Sequence, residues 1–472
     1  MPRRIGLVVH GQPPELVGGT ERLVHDLALG LAAGGDTVEV FSGSIAWRPA
    51  FEVVRDTSGP VPVRRVHRHD LFFERWDKLE NPHVEAAYGA WLDELRPELV
   101  HVHHWARLTT TLVRAARARG VPAVLSVHDL FASCPRYHRV KQDLSFCEVR
   151  AAPDACRHCA PRWRFQSDVE IDASVSAFAA GLRAEVAAAD AVLAPTAGHA
   201  ARLLSWLDLQ RPIAALPPAS TPAIRPASRP LGDRPASREH PLRAGTFGHL
   251  HALKGAEVLL DAQALLPDPD AVELHVWGAA PTPEQDAALR ARAAGRRVVW
   301  HGAYQPSDLS GAPLDAAVVP TLCAESYSFA LDEACALGVP VLATDLGALR
   351  DRATPRVTLV PRGDAHALAA ALQHLAADPA ERRRLAAAPP PPRADAAAHL
   401  AGLQAVYAGV LARPRPAPPE PAVAAARDEG LRARRHLFDL REAGLRELLR
   451  SEGWEEVVGR LTAENEALRH RR

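Results

Sequence analysis

Residues 315–347, DAAVVPTLCAESYSFALDEACALGVPVLATDLG, contain the clearest indication of the fold in the chain. They open with a short apolar run of the kind that forms a buried parallel strand. A helical stretch follows and ends at Gly338, with Pro340 beyond it, and a second apolar run comes next. Strand, helix and strand in this order predict a parallel sheet with helices on its faces. Glu325 falls on the loop after the first strand and Glu333 in the early part of the helix, eight positions apart.

The same alternation of short apolar runs and helical stretches occurs in two series, one before residue 216 and one after residue 241. Between them lies a run rich in proline, serine and arginine, which indicates a linker or an exposed loop. We therefore predict an α/β protein with two doubly wound, Rossmann-like domains that face each other across a cleft, plus a helical C-terminal tail. The predicted segments are a first domain over 1–215, a linker over 216–241, a second domain over 242–388, a closing helix over 389–412, and a proline-rich hinge with a helical tail over 413–472.

The composition excludes several classes of protein. The 472 residues are 47% hydrophobic and 24% charged, which is typical of a globular protein. Lys plus Arg and Asp plus Glu both number 56, so the zero net charge argues against a nucleic-acid partner. No run has the form of a secretory signal or approaches the roughly 18 apolar residues of a membrane span. We expect a cytoplasmic protein, with peripheral contact at the inner membrane face as a further hypothesis.

Two glycine-containing turns lie where a phosphate could bind. Gly18 and Gly19 follow the first predicted strand and open a helix, so backbone N–H groups and the helix N-terminus could meet an anion. In the second domain, FGHLHALKG places Lys254 and Gly255 at a corresponding helix start, in an order that does not match the Walker pattern. For each turn a plainer interpretation stays open: a tight turn for the glycine pair, and an exposed loop lysine for Lys254.

The spacing of Glu325 and Glu333 suits one kind of ligand. The loop between them and the start of the helix offer N–H groups to a diphosphate. A carboxylate on either side accepts hydrogen bonds from sugar hydroxyls. The spacing therefore predicts a site for a sugar, a diphosphate and a ribose in a row.

Taken together, these motifs resemble the retaining glycosyltransferases of family 4, which have the GT-B fold. The family's Glu-x7-Glu signature is matched by Glu325 and Glu333 within PTLCAESYSFALDEACALGVPVLATDLGAL. GGTE at 18–21 is similar to the first-domain glycine loop of the family, and FGHLHALKG to its phosphate-lysine segment. NPHVEAAYGAWLDELRPELVHVHHW with VPAVLSVHDLFASCPR is similar to the acceptor domain of one subgroup. The resemblance covers residues 3–410 and implies a bacterial enzyme of polysaccharide or glycolipid biosynthesis.

The resemblance also implies roles for individual residues. Glu333 would bind the ribose hydroxyls, Glu325 the donor sugar, and Lys254 the diphosphate. The nucleotide base would lie near residues 302–305 and Gly278. The donor site would be completed by Gly18, Gly19, His249, Ser326 and the amides of Ser328 and Phe329.

The implied reaction transfers a sugar with retention of anomeric configuration, by front-face attack in which the leaving phosphate draws the acceptor proton. Its catalytic residues would be Lys254, Glu325 and His128, which would reach the donor sugar from the first domain. No metal or other cofactor would be required for catalysis. The implied partners are a nucleotide-sugar donor and a glycan or lipid-linked acceptor.

Two positions depart from the family pattern. Many members carry arginine where this chain has His249, and a histidine is only partly charged near neutral pH, so the diphosphate would depend mainly on Lys254. The common Gly-Gly-x-Pro-Glu motif is replaced by LGALRDRA. We therefore assign no role to Arg350 and Asp351.

Four of the six cysteines fall within residues 134–159. Cys156 and Cys159 form a C-x2-C knuckle typical of structural zinc sites, and Cys134 and Cys147 would complete a tetrahedron. Such a zinc would staple an insertion beside the acceptor cleft. His158 could replace one of the four cysteines. Three alternatives stay open: an iron–sulfur cluster, a loop with reduced thiols, and one regulatory pair of cysteines, since structural disulfides are rare in the cytoplasm. No metal is expected at His101, His103 and His104, because no third ligand is evident near that strand end.

Two further segments each have two interpretations. Residues 63–78 interleave arginine with aromatic residues, which predicts either contact with a lipid phosphate or anionic membrane, or a basic strip over packed rings. The tail has the 4-3-4-3 spacing of a coiled-coil seam, which would allow self-association, although a solvated or docking helix fits as well. The seam consists of Trp454, Val458, Leu461, Asn465 and Leu468.

Two other functions compete with glycosyl transfer. A GT-B nucleotide-sugar epimerase should have a compact first domain without the cysteine-rich insertion. A catalytically silent GT-B scaffold of a polysaccharide-assembly complex would have no need of Glu325, Glu333, Lys254 and His128. A nicotinamide-dependent oxidoreductase is excluded, because no Gly-x-Gly-x-x-Gly follows a predicted strand.

Overall fold

The structure is a computed structural model that describes residues 2–451, apart from residues 69, 71, 73, 74, 164, 165, 221, 228–230 and 415–419. The described residues form two α/β domains, each built on one sheet, and end in a long C-terminal helix. The prediction of two facing doubly wound domains with a helical tail is confirmed.

The first domain contains an eight-stranded sheet. Its strands are β1 (Arg4–Val9), β2 (Thr37–Ser44), β3 (Val53–Asp56), β4 (Val63–His67), β5 (Leu99–Val102), β6 (Ala123–Ser126), β7 (Ala191–Ala194) and β8 (Ala214–Ala215). They lie in the order β3-β4-β2-β1-β5-β6-β7-β8, and every neighbouring pair is parallel except β3 with β4. The central strands therefore deliver all their carboxyl ends to one edge of the sheet.

The second domain contains a six-stranded parallel sheet. Its strands are β9 (Leu242–Phe247), β10 (Val272–Trp277), β11 (Val298–Gly302), β12 (Ala316–Val319), β13 (Val341–Thr344) and β14 (Val357–Val360). The order is β11-β10-β9-β12-β13-β14, so the chain switches direction between β9 and β12. Ligands of open α/β sheets bind at such a switch point.

Helices connect the strands and cover both faces of each sheet. They are α1 (Gly19–Ala33), α2 (Pro82–Leu95), α3 (Leu112–Arg117), α4 (Pro153–Cys156), α5 (Asp168–Ala188), α6 (Ala197–Leu207), α7 (Ala256–Ala264), α8 (Pro283–Arg292), α9 (Phe329–Ala336), α10 (Gly347–Asp351), α11 (Ala365–Ala377), α12 (Pro379–Ala387), α13 (Ala396–Leu411) and α14 (Pro421–Ser451).

The cores follow from this layering. Every residue of β5, β6, β12 and β13 is buried, because helices lie on both faces of a parallel sheet. This double burial explains why these strands have continuous apolar runs instead of an alternating pattern.

The segment between the domains packs against the protein. The N–H of Ala236 donates to the carbonyl of Ala376 at 2.7 Å, and that of Ser220 to Ala394 at 2.9 Å. Helix α13 then returns to the first domain, where Tyr407 is fully buried beside the residues of β1. The chain therefore crosses between the domains twice.

Helix α14 lies against α2 of the first domain. Its Arg434 pairs with Glu85 at 2.6 Å, and its Phe438 packs with the His83 ring at a centroid distance of 5.6 Å. Residues 421–451 therefore form a docked helix. The predicted seam at 454–468 lies outside the described residues.

Candidate active site

The carboxyl ends of the two sheets face each other, and the loop after β12 joins them. The Ser326 hydroxyl donates to the carbonyl of His128 in the first domain. The Thr196 hydroxyl in turn donates to the carbonyl of Ser326 at 3.1 Å. A small apolar cluster beside these bonds contains Leu130, Trp206, Ala324 and Leu346. The structure thus brings Ser326 and His128 together, as the sequence predicts for one site.

Lys254 and Glu325 form an ion pair with an Nζ–Oε1 distance of 2.7 Å. The Glu325 carboxylate raises the pKa of Lys254, so the lysine is fully charged at neutral pH. The pair is possible because Gly255 has a φ of 76° and lies so close to the end of β12 that a Cβ would be 1.9 Å from the Pro320 carbonyl oxygen. The site therefore holds one fixed positive charge beside a carboxylate, and the lysine side chain is 45% exposed and open to a ligand.

The start of α10 fixes the backbone of Glu325. The N–H of Ala348 donates to the carbonyl of Glu325 at 2.8 Å. Gly347 has a φ of 57°, and a Cβ there would lie 2.6 Å from that same carbonyl. Sequence reasoning missed this support, although a glycine three residues after a buried strand is a signal for close backbone approach.

Two helix N-termini meet at the site. Ser328 is the N-cap of α9, where its hydroxyl accepts from the N–H of Leu331 at 3.3 Å and its φ is 72°. Gly18 is the N-cap of α1, and a Cβ on Gly19 would lie 3.2 Å from the Phe329 ring. The glycine pair and the residues at the start of α9 are therefore brought together. Both helices direct the positive end of the dipole toward the site, which favours an anion there.

Glu333 lies one turn into α9 and is bound by Tyr304, whose hydroxyl donates to Oε2 at 2.9 Å. Burial raises the pKa of Glu333, and the bond from Tyr304 opposes that shift. Tyr304 follows β11, within the region expected to meet the nucleotide base, but its bond to Glu333 was not predicted. Nothing in the spacing of two residues 29 positions apart reveals it.

His128 is turned toward its own domain. Its Nε2 lies 2.9 Å from Nδ1 of His103. Burial lowers the pKa of His128 to about 3, so the ring is neutral at physiological pH. The side chain can therefore offer a ligand one hydrogen bond but no charge.

The first domain lines a cleft of about 430 Å³ that opens beside Glu325 and Ser326. His104 Nε2 donates to Asp129 Oδ2 at 3.1 Å, since its Nδ1 accepts from the N–H of Ala106. These polar pairs can exchange hydrogen bonds with a hydroxyl-rich ligand.

An apolar wall completes the cleft. The rings of Phe131 and Tyr137 are nearly parallel, with centroids 4.7 Å apart and planes 17° apart. A concave site with an apolar wall and a few directed polar groups is typical of a small-molecule site.

Three remaining residues of the sequence analysis do not line this cleft. His249 is exposed. Arg350 bonds the Asp345 carboxylate on its own domain. Asp351 pairs with Arg202 of α6, so it forms a further contact between the two domains.

Two family models match the chain, one over each domain. Glycosyltransferase Family 4 matches residues 17–219, and Glycosyl transferases group 1 matches residues 241–378. The chain belongs to the family 4 glycosyltransferases. It is therefore a transferase with a GT-B fold that takes its sugar from a nucleotide-sugar donor.

One curated relative is similar in sequence, and two solved structures share the fold. D-inositol 3-phosphate glycosyltransferase of Arthrobacter sp. (strain FB24) is 29% identical over 377 residues, which is 74% of this chain and 80% of the relative. Sucrose-phosphate synthase of Thermosynechococcus elongatus superposes with a TM-score of 0.57 at 20% identity, over 87% of this chain and 96% of that structure. HepE of Anabaena in complex with UDP superposes with a TM-score of 0.54 at 16% identity, over 86% of this chain and 100% of that structure.

The zinc site of the cysteine-rich insertion of the glycosyltransferase stays a prediction. Among the residues that the structure describes, no group of three or more His, Cys, Asp or Glu side chains is placed to hold a metal ion. Burial raises the pKa of Cys156 to about 11, so this thiol stays protonated at neutral pH. The four predicted ligands, Cys134, Cys147, Cys156 and Cys159, are free thiols.

Arg139 binds several parts of the insertion to one another. Its guanidinium is 1% exposed and donates to the carbonyls of Ser133 at 2.7 Å and Cys147 at 2.8 Å. The guanidinium also lies over the Trp206 ring, 3.9 Å from its centroid. A buried arginine therefore crosslinks the backbone of the insertion and joins it to α6.

The basic segment 63–78 of the glycosyltransferase is not a solvated strip. Its arginines Arg64, Arg65 and Arg68 are paired at 2.6 to 2.8 Å. Trp76 is buried and donates to the carbonyl of Pro161 at 2.7 Å, while Phe73 lies outside the described residues. The carboxylate partners of the three arginines are Glu94, Asp56 and Asp70, respectively. This packing leaves the segment little positive charge for a membrane.

Within the described residues, the glycosyltransferase has no helix that is both long and apolar enough to cross a bilayer.

Proposed function

We propose that this glycosyltransferase moves a sugar, with retention of anomeric configuration, from a nucleoside-diphosphate sugar to a hydroxyl group of a glycan, a glycolipid or a related acceptor in cell-surface polysaccharide biosynthesis. One observation carries the proposal. Glu325 and Glu333 lie on either side of the N-terminus of α9, which meets the N-terminus of α1 from the other domain. That arrangement offers a diphosphate two helix ends and offers hydroxyl groups a carboxylate at each side.

In this proposal the leaving diphosphate is stabilised by charge that is already in place. Lys254 and the N–H groups at the start of α9 would bind it, and they need no rearrangement as negative charge develops in the transition state. The bond between C1 of the sugar and the diphosphate oxygen breaks, and the acceptor oxygen bonds to C1 on the same face. The acceptor proton passes to the departing phosphate oxygen, so no enzyme nucleophile is required. Because Lys254 and two helix dipoles supply positive charge, we propose that catalysis needs no metal.

The two glutamates would bind the two hydroxyl-bearing parts of the donor, the ribose and the sugar. Glu333, oriented by Tyr304, would accept hydrogen bonds from the ribose, and Glu325 would accept from the donor sugar while it holds Lys254 in place. His128 would donate to the sugar from the opposite domain.

The acceptor would occupy the cleft beside Glu325. The His104–Asp129 pair and the Phe131–Tyr137 wall suit a ring with both hydroxyl groups and an apolar face. The name of the Arthrobacter relative refers to D-inositol 3-phosphate, which supports testing a cyclic polyol phosphate beside glycan and lipid-linked acceptors.

We also propose that two copies of the chain associate through the outer face of α14, and that the protein is cytoplasmic, acting at the inner membrane face when its acceptor is lipid-linked. The outer face carries Leu437 and Leu440, which are 54% and 56% exposed. Exposed leucines on one side of a docked helix suit a second partner.

The donor assignment is tested by thermal unfolding of the purified protein with UDP, GDP, ADP, TDP and their common sugar conjugates. A ligand at about 100 times its Kd stabilises the folded state by about 2.7 kcal/mol, which is readily measured. We expect one nucleotide to raise the melting temperature of the wild type and to lose most of that effect with Glu333→Ala. The matched control is Glu284→Ala, an exposed glutamate at the start of α8 in the same domain, which should keep the full shift.

The donor sugar that binds is then incubated with the acceptor panel, and the anomeric configuration of the product is read by NMR, with and without EDTA. Retention and indifference to EDTA are expected. Absence of a shift with every nucleotide would contradict the donor site, and an inverted product would contradict the front-face reaction.

A further inference from the structure

Three histidines lie in a row beneath the loop that carries Ser326. His101 belongs to β5, His103 follows β5, and His128 follows the neighbouring strand β6. His101 and His103 are buried, with 1% and 3% of their surface exposed, whereas His128 is partly exposed. The row therefore runs from the core of the first domain to the interdomain site.

His103 and His128, the two rings nearer the interdomain site, meet nitrogen to nitrogen. The distance from His103 Nδ1 to His128 Nε2 is 2.9 Å, the ring planes are 7° apart, and the centroids are 5.2 Å apart. That centroid separation fits a straight N–H···N bond between nearly parallel rings. One of the two nitrogens must carry the proton and the other must accept it, because both rings are neutral. Burial lowers the pKa of both histidines, that of His128 to about 3.

The surroundings of His103 favour one position for that proton. Its second nitrogen, Nε2, is buried and has no hydrogen-bond partner among the described residues. If His128 donated the shared proton, His103 would carry its own proton on Nε2, and that buried N–H would have no protein acceptor among the described residues. Orphaned buried N–H groups are rarer in proteins than buried acceptors without a donor. The neutral form with the proton on Nδ1 of His103 is therefore the favoured one.

His101 packs against His103 on the side of the domain core. Its Nε2 lies 2.8 Å from the Ser126 hydroxyl and its Nδ1 lies 2.8 Å from the Tyr407 hydroxyl. The ring centroids of His101 and His103 are 3.9 Å apart. Tyr407 comes from α13, so the closing helix fixes the row at its buried end.

We propose that His103 is a positioning residue for the transfer reaction: it donates from Nδ1 to Nε2 of His128 and thereby holds His128 in the tautomer that carries its proton on Nδ1. His128 then presents an N–H donor on the side of the ring that points away from His103. In the other tautomer the same position would be a bare acceptor, and the ring would be free to turn. The inference rests on the proposed function for what His128 binds, namely a hydroxyl oxygen of the donor sugar, but the tautomer itself can be measured without any substrate.

The tautomer is tested by NMR on the full chain labelled with 15N-histidine, in which the His128 signals are assigned by their loss in His128→Gln. In the wild type, Nδ1 of His128 should show the shift of a protonated nitrogen and Nε2 that of an acceptor. In His103→Leu the His128 signals should move toward a mixture of the two tautomers. His103→Asn should restore the wild-type pattern, because an asparagine amide can donate from nearly the same point as Nδ1. The opposite tautomer in the wild type, or no change in His103→Leu, would overturn the proposal.

Kinetics provide the second measurement. We expect His103→Leu to lower kcat by roughly tenfold, the equivalent of one misplaced hydrogen bond, with a smaller effect on KM for the donor, and His103→Asn to recover most of the loss. A matched control is His275→Leu, which breaks a similar bond, His275 Nδ1 to His301 Nε2 at 3.0 Å, in the second sheet. This control should leave the His128 signals unchanged. If no donor sugar is transferred by the wild type, the proposed function fails while the NMR result still decides the tautomer.

Discussion

At the scale of single residues, the orientation of Glu333 depends on one phenol. The Tyr304 hydroxyl is the only group among the described residues for which a hydrogen bond to the Glu333 carboxylate is seen, at 2.9 Å. Tyr304→Phe removes this donor and keeps the ring, so we expect nucleotide affinity to fall about fivefold to tenfold, as for a net hydrogen bond of about 1 kcal/mol. Isothermal titration with the donor nucleotide measures the change. The matched control is Tyr88→Phe, because the Tyr88 hydroxyl is buried without a partner among the described residues. Its removal should leave nucleotide affinity unchanged. Equal losses of affinity in both variants would contradict the role of Tyr304.

A second prediction at the scale of residues concerns the loss of stability at low pH that His199 causes. Burial lowers the pKa of His199 to about 4, whereas the unfolded chain has an ordinary histidine pKa of about 6.5. Below pH 6.5 the unfolded state therefore binds a proton that the folded state does not, and the free energy of unfolding falls as the pH decreases toward about 4. Between pH 7 and pH 5 this residue alone should account for about 2 kcal/mol of lost stability. Urea unfolding at the two pH values should show a smaller loss of stability for His199→Met than for the wild type. The control is His366→Met, at an exposed position of α11, which should lose as much stability as the wild type.

At the scale of elements, the turn before α7 positions Lys254. Gly255 and Gly295 have nearly the same left-handed backbone, with φ of 76° and 74°. A Cβ on Gly255 would lie 1.9 Å from the Pro320 carbonyl oxygen, whereas no described atom lies within 4 Å of a Cβ on Gly295. Gly295→Ala should therefore cost about 1 kcal/mol of stability from backbone strain alone. Gly255→Ala should cost about 3 kcal/mol or more, because the Pro320 backbone must also move, and it should abolish the stabilisation by the donor nucleotide. Chemical denaturation with and without nucleotide checks both values, and equal losses in the two variants would disprove the positioning of Lys254 by this turn.

The elements also show what sequence could predict. Apolar runs such as those of β12 and β13 were recognisable because both faces of a parallel sheet are buried. The Glu-x7-Glu spacing pointed to the candidate site because both glutamates belong to one loop and the helix that follows it. Strand β4 was read as a basic segment, since the ion pairs that allow Arg64 and Arg65 to lie in a sheet join residues far apart in the chain. The buried role of Arg139 was hidden for the same reason: its partners are backbone carbonyls, which no sequence pattern marks.

At the scale of the whole molecule, α14 has two different faces. The inner face is held to the first domain by ion pairs such as Arg434–Glu85 and Lys78–Glu442. The outer face exposes Leu437 and Leu440. In the sequence, Leu440 precedes Trp454 by fourteen residues and Leu437 precedes Val458 by twenty-one, both multiples of seven. The exposed leucines are therefore in register with the predicted seam, and a seam that repeats every seven residues suits a second helix of the same kind.

If two copies pair through this seam, the double variant Leu437→Glu/Leu440→Glu should be monomeric where the wild type is dimeric, because like charges would replace apolar contacts at the centre of the interface. Analytical ultracentrifugation of the full chain over a concentration series measures the mass. The matched control is Val169→Glu, which changes an apolar residue of α5 that is 77% exposed and should leave the dimer intact. A wild type that stays monomeric but sediments with vesicles of anionic phospholipid would contradict self-association and assign the outer face of α14 to the membrane. A dimer that survives the double variant would place the interface elsewhere on the molecule.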